Sequence, residues 1–118
     1  MKALLFPGQG VQKVGMMDFL LESDLEIKSL LTQTSNVLDF DLFELVKTGP
    51  EQKLNLTEYA QPAILATSVA IARKKANDLD FSYTAGLSLG EYSALVFAEC
   101  IDFNDAIKLV NFRGKLMQ

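Results

Sequence analysis

The five residues Gly86-Leu87-Ser88-Leu89-Gly90 constrain this chain more than any other feature. They follow a short aromatic-rich run, Phe81-Ser82-Tyr83-Thr84-Ala85, and precede a stretch patterned as helix from Glu91 to Phe97. A serine between two glycines at a strand-to-helix turn is a nucleophile elbow: the bend is too tight for side chains at its flanks. The strain leaves the serine oxygen exposed above the sheet edge, facing the positive end of the next helix. At average residue frequencies a Gly-x-Ser-x-Gly string arises by chance roughly 0.04 times in a chain this long. An ordinary strand-to-helix turn remains the alternative to a catalytic serine. The 118 residues contain no histidine, so the usual base for such a serine is missing from the chain.

An elbow requires a strand feeding a helix, and the rest of the chain is patterned to supply that setting. Ala3 to Phe6 reads as a buried strand, closed by Pro7-Gly8-Gln9-Gly10, a loop whose glycines let backbone approach a ligand. Met16 to Leu21 predicts a short helix. Asp24 to Leu38 carries Ile27, Leu30, Leu31, Val37 and Leu38 at helical spacing. Asp41 to Val46 predicts another short helix, stopped by Gly49-Pro50. A longer helix is expected from Thr57 or Gln61 to Asn77, with Pro62 in its first turn, where a missing N–H costs little.

The second strand is expected over Phe81 to Ala85. The last helix starts at Asp102, with Asp105 three residues on. Its apolar stripe is read as Ala106, Leu109, Val110, Leu116 and Met117, and its solvated face as Lys108, Asn111 and Lys115. Strand, helices, strand, helix is the order of an α/β protein with a parallel sheet. Two strands are too few for a stable parallel sheet, which is normally wider and covered on both faces. No repeat, low-complexity tract or linker divides the chain.

The totals set outer limits. Hydrophobic residues make up 49% and charged residues 22%, which fits a folded mixed domain rather than a disordered one. A net charge of −4 without a Lys/Arg cluster argues against nucleic acid or an anionic membrane as partner. The single cysteine, Cys100, permits no internal disulfide and fits a reducing compartment. The apolar run after Lys2 meets Pro7-Gly8 after four residues, too short for a signal core or a membrane span. A cytoplasmic location is expected.

Three further features have both a chemical and a plain reading. Gly8-Gln9-Gly10 is either a tight turn or a loop that aims the Gln9 N–H at a developing oxyanion. Acyl transfer needs two such donors, one on the residue after the nucleophile, here Leu89. Arg113 lies on the apolar stripe of the last helix, where a guanidinium is costly unless it meets an anion; alternatively its stem packs while its head reaches water. Cys100, Tyr92 and Met16-Met17 read as packing residues, and Glu91 as a favourable charge in the first turn of a helix.

Phe6-Pro7-Gly8-Gln9-Gly10, Gln61-Pro62-Ala63, the run from Gly86 through Leu95, and Arg113 through Gln118 occur in one order. Together they resemble the malonyl-CoA:acyl carrier protein transacylases of fatty acid synthesis and the related acyltransferase domains of polyketide synthases. The resemblance runs the length of the chain. It implies a hydrolase-like α/β core with a smaller ferredoxin-like subdomain, of which residues 1–118 match only the N-terminal segment, the small subdomain being absent. It also implies Ser88 as the acyl-accepting nucleophile and the backbone N–H groups of Gln9 and Leu89 as the oxyanion hole. Arg113 matches the arginine that pairs with the free malonyl carboxylate, and Gln61 a supporting glutamine near the active site. No metal and no cofactor are called for.

Two departures stand out. Leu87 occupies a position where that family usually has histidine, a neighbour that is not the base. The catalytic histidine comes from a later part of the family's chain. The resemblance thus implies transfer of malonyl from coenzyme A to acyl carrier protein through a Ser88 ester, with little or no activity for residues 1–118 alone. A complementing C-terminal segment is a further partner on this reading. A non-catalytic remnant or half of a split protein is one alternative. A serine hydrolase is another, disfavoured by Arg113 and by the Gly8-Gln9-Gly10 loop.

Overall fold

A computed structural model describes residues 1–21, 24–75 and 78–118. Strand β1 (Ala3–Phe6) pairs in parallel with β2 (Tyr83–Gly86), in the register Ala3 opposite Tyr83 through Phe6 opposite Gly86. These two strands form the only sheet among the described residues. The helices are α1 (Asp18–Leu21), α2 (Leu25–Gln33), α3 (Leu42–Thr48), α4 (Glu51–Leu54), α5 (Thr57–Lys75), α6 (Gly90–Phe97) and α7 (Phe103–Met117). The result is a mostly helical α/β structure, as the order of patterned segments implies.

Aspartates set several helix starts. Asp24 accepts from the Glu26 and Ile27 N–H groups, Asp41 from Glu44 N–H, and Asp102 from Asn104 and Asp105 N–H. Asp24 also pairs with Lys74 at 3.0 Å, joining α2 to α5. That hydrogen bond holds the Asp24 carboxyl below its ordinary value. The segment expected as one helix from Asp24 to Leu38 instead divides into α2 and a 3-10 turn over Thr34–Asn36. The Thr34 hydroxyl donates to Leu31 O at 2.6 Å, a side-chain bond that competes with the regular helical pattern. Helix α4 has no counterpart in the sequence pattern; four residues give no period to detect.

Helix α5 is the spine. Its residues Ala60 through Thr67, Val69, Ala70 and Ala72 are buried, and it packs against α7, α6 and the short helices. It begins at Thr57, so Pro62 lies past the first turn and not within it. The expected end at Asn77 lies outside the described residues. A proline at position 62 supplies no N–H to the carbonyl of Glu58 four residues back. Asn111 of α7 replaces it, its Nδ2 donating to Glu58 O at 3.0 Å.

This bond corrects the reading of α7. Asn111 is buried rather than solvated, and the inward face is Phe103, Ala106, Ile107, Val110, Asn111 and Gly114. Leu109, Leu116 and Met117 are exposed instead of forming the stripe. The polar residue is inward because the proline leaves a buried carbonyl that must find a donor. Cys100, expected to pack, is exposed.

The sheet is bare on much of its surface. Leu5 is 72% exposed and Tyr83 59%, although both lie in strands. Beside β1 runs an apolar groove lined by Leu4, Phe6, Ile71, Ala72, Leu79 and Phe81. Among the described residues no helix is long and apolar enough to cross a membrane.

Candidate active site

Parallel pairing fixes where the two loops of interest meet. Because Phe6 stands opposite Gly86, the loop after β1 and the turn after β2 leave the same end of the sheet. Open α/β sheets bind ligands at that end, the carboxyl ends of their strands. The contact between the loops is close: a Cβ added at Gly8 would lie 2.9 Å from Leu87 O and 3.9 Å from Ser88 Cβ. The glycine loop and the serine turn therefore form one wall.

The turn itself has the geometry of an elbow. Ser88 adopts φ = 53°, in the left-handed region that side chains rarely occupy. Such strain persists only where the surroundings enforce it. A Cβ on Gly86 would run into the backbone of Gly90 and Glu91, so the return of the chain after Ser88 requires that position to be bare. Helix α6 then begins at Gly90, with Leu89 buried beneath the turn and Ser88 exposed above it. Among the described residues, the Gln9 and Leu89 N–H groups donate to no turn or loop carbonyl. The Gln9 side chain reaches Thr57 Oγ1 at 3.4 Å, tying the glycine loop to the start of α5.

Arg113 enters from α7. Its Nη2 donates to Ser88 Oγ at 3.1 Å, and its Nη1 to Gln61 Oε1 at 2.9 Å. Gln61 is fully buried on α5, and its Nε2 donates in turn to Met117 Sδ at 3.4 Å. The guanidinium also lies over the ring of Tyr92, with Cζ 5.4 Å from the ring centroid. Its head does not run out to water along the helix surface; it is held among Ser88, Gln61 and Tyr92. Among the described residues Arg113 has no carboxylate partner, and Ser88 Oγ bonds only to it.

Residues singled out in the sequence thus meet: Ser88, Gln61 and Arg113 are joined directly, and the loop of Gln9 packs against the turn that holds Leu89. Glu91 is exposed in the first turn of α6, as its plain reading has it. Tyr92 and Met117 join the cluster without a sequence reading that puts them there. Tyr92 is detectable in principle, because it falls in the first turn of the helix that the serine turn feeds. Leu87 is 78% exposed at the turn. Chemically the cluster is an exposed hydroxyl beside an uncompensated cation. It suits an acyl group that carries a second, anionic end.

Comparison with known proteins gives a consistent result. A family model described as "Acyl transferase domain" matches residues 3–118. The "Malonyl CoA-acyl carrier protein transacylase" of Haemophilus influenzae is 52% identical over 120 residues, covering 98% of this chain and 38% of its own length. The protein of the same name from Staphylococcus aureus strain COL is 47% identical over 115 residues, and 37% of it is covered. A crystal structure of an acyl carrier protein S-malonyltransferase from Vibrio cholerae superimposes with a TM-score of 0.93 at 51% identity, over 98% of this chain and 39% of that one. A malonyl-transacylase solved with a type II polyketide acyl-carrier protein gives the same TM-score at 50% identity, with 38% of that chain covered. The chain thus spans under two-fifths of the length of these relatives, and its strands and helices match their N-terminal part. The chain belongs to the acyl transferase domain family.

Proposed function

We propose that residues 1–118 are the N-terminal segment of an acyltransferase domain that moves malonyl from coenzyme A to acyl carrier protein in fatty acid synthesis. The observation that carries this reading is Arg113, held at hydrogen-bond distance from the exposed Ser88 hydroxyl and, among the described residues, without an anionic partner. A malonyl carboxylate provides that anion, in a charge-assisted pair that an acetyl group cannot form. Relatives at 46–52% identity carry the transacylase name, which supports the substrate and the acceptor.

The chemistry is a double displacement. Ser88 Oγ attacks the thioester carbonyl, its proton passing to a base. The carbonyl oxygen gathers charge in front of the Gln9 and Leu89 N–H groups, and the C–S bond breaks to release coenzyme A as its thiol. The pantetheine thiol of acyl carrier protein then attacks the ester carbon, and Ser88 regains its proton. No residue among the 118 is a histidine, so on this reading a histidine base is supplied from outside them. A serine without its base keeps only residual catalysis. The chain alone is therefore inactive or nearly so, and a C-terminal acyltransferase segment docks on its bare sheet and completes the site. The exposed Leu5 and Tyr83 and the groove beside β1 support that docking. The lone cysteine is consistent with a cytoplasmic setting.

The test is a radiolabelled malonyl-transfer assay with acyl carrier protein. It is run on the chain alone and on the chain mixed with the remaining portion of the Haemophilus influenzae relative. Background transfer alone and clear transfer in the mixture are expected. Turnover by the chain alone at the level of a complete enzyme would refute the missing-base argument. Malonyl-CoA hydrolysis exceeding transfer would favour a hydrolase instead. A compact monomer that binds no hydrophobic dye would count against the docking surface.

A further inference from the structure

Apart from its bond to the Ser88 hydroxyl, the Arg113 guanidinium is restrained on two sides before any substrate is present. One edge is fixed by Gln61, which is fully buried and is itself oriented by Met117 Sδ. Its Cζ lies over the ring of Tyr92, 5.4 Å from the centroid. The two restraints differ in kind. A second bond, from Nη2, goes to Ser88 Oγ; once that hydroxyl is engaged by substrate, the Nη1 bond to Gln61 alone leaves the guanidinium free to pivot about it. The ring beneath Cζ opposes the pivot, because a guanidinium is attracted to the face of an aromatic ring and loses that contact when it swings away. Tyr92 is itself well anchored, being half-buried, packed against the main core, and placed in the first turn of α6, the helix that follows Ser88. The nucleophile therefore sits on the turn that leads directly into the helix carrying the ring that orients the arginine.

We infer that Tyr92 is a positioning residue for Arg113, and that preference for acyl groups bearing a free carboxylate depends on it. The inference rests on the acyl-transfer reading for its substrate, but the positioning of the arginine stands on geometry alone. A bidentate carboxylate needs two N–H groups in a defined plane, so a guanidinium free to tilt binds it less well. An acyl group with no carboxylate makes no use of that plane.

The test uses the 118-residue chain and has two readouts. The first is the arginine Nε–H spectrum, which holds two side-chain signals because only Arg73 and Arg113 are present. In Tyr92→Leu the Arg113 signal should lose its upfield ring shift, while Tyr92→Phe, which keeps the ring, should leave it in place. The Arg73 signal should be unmoved in both and so reports an intact fold. The second readout is calorimetric titration with malonyl-CoA and with acetyl-CoA. Tyr92→Leu should weaken malonyl-CoA by about two- to fivefold, the range of an exposed to part-buried cation–π contact. Acetyl-CoA binding should stay unchanged, and Tyr92→Phe should restore the difference.

A purely structural role would weaken both ligands together and move the Arg73 signal, and that result would overturn the inference. So would an Arg113 signal indifferent to the loss of the ring. Should Tyr92→Leu not fold, cross-relaxation between the Tyr92 ring and the Arg113 side chain in the unaltered chain decides the contact; its absence overturns the inference. If the ring contact is present but the unaltered chain binds malonyl-CoA no better than acetyl-CoA, the substrate reading and the specificity role both fail. In that case the arginine's placement survives.

Discussion

Replacing Asn111 by leucine removes one hydrogen-bond donor, keeps a side chain of similar volume, and tests how the site is assembled. In the native protein Asn111 Nδ2 donates to Glu58 O at 3.0 Å, at a carbonyl that the proline at 62 leaves without its helical donor. Asn111 is buried, so water does not readily take its place. Orphaning a buried carbonyl costs about 1–3 kcal/mol. At a typical urea dependence this lowers the unfolding midpoint by on the order of 1 M. The decisive step is the second background. In Pro62→Ala the N–H at position 62 reaches Glu58 O in the ordinary helical way, so Asn111→Leu should then cost under about 0.5 kcal/mol. The coupling between the two sites, measured as a double-mutant cycle by urea denaturation, should therefore be about 1–2 kcal/mol. An equal cost of Asn111→Leu in both backgrounds would show that the amide does not stand in for the missing proline N–H. The consequence reaches the site, since Gln61 precedes Pro62 and Arg113 follows Asn111 by two residues. The bond that repairs the proline lies in the same α5–α7 contact that brings Arg113 to Gln61.

Two other perturbations probe the same frame. At Gly114 an added Cβ would lie 2.6 Å from both Glu58 Cα and Thr57 O, backbone atoms that cannot swing aside. Gly114→Ala should destabilise by about 1–3 kcal/mol of overpacking, outweighing a helix-propensity gain of about 1 kcal/mol; a rise in thermal midpoint would contradict the close α5–α7 approach. The Asp24 carboxyl, ordinarily near 3.8, is held lower by Lys74, so its contribution is present above that value. It is lost as pH falls through the depressed folded value. Asp24→Asn should therefore lower stability at neutral pH, with the gap to the native chain closing in acid; a gap independent of pH would mean that the ion pair adds nothing to stability.

Much of the site is legible in the sequence because local chain geometry dictates it. The elbow glycines, the strand before them and the aspartate caps are each decided within a few residues. Parallel pairing then brings Gly8-Gln9-Gly10 to Ser88 without further information. What stays hidden in the sequence depends on contacts between distant segments. Apolar character points to Leu109, Leu116 and Met117 as the inward face of α7, whereas the helix is turned so that Asn111 and Gly114 face α5. No rule within α7 marks Asn111 as buried, because its reason lies at Pro62, 49 positions earlier. Tyr92 reads as ordinary packing for a similar reason: its ring matters through Arg113, which arrives from another helix.

Whether the Ser88 oxygen accepts a malonyl group whose carboxylate is held by Arg113 can be read by intact-mass and peptide-level mass spectrometry. The chain is mixed with malonyl-CoA and the C-terminal portion of a relative, then quenched before acyl carrier protein is added. One malonyl ester on Ser88 is expected, absent in Ser88→Ala and strongly reduced in Arg113→Ala while acetyl loading from acetyl-CoA is not reduced. An ester on another residue, or malonyl and acetyl loading that fall equally in Arg113→Ala, would show that the serine and the arginine do not play these parts.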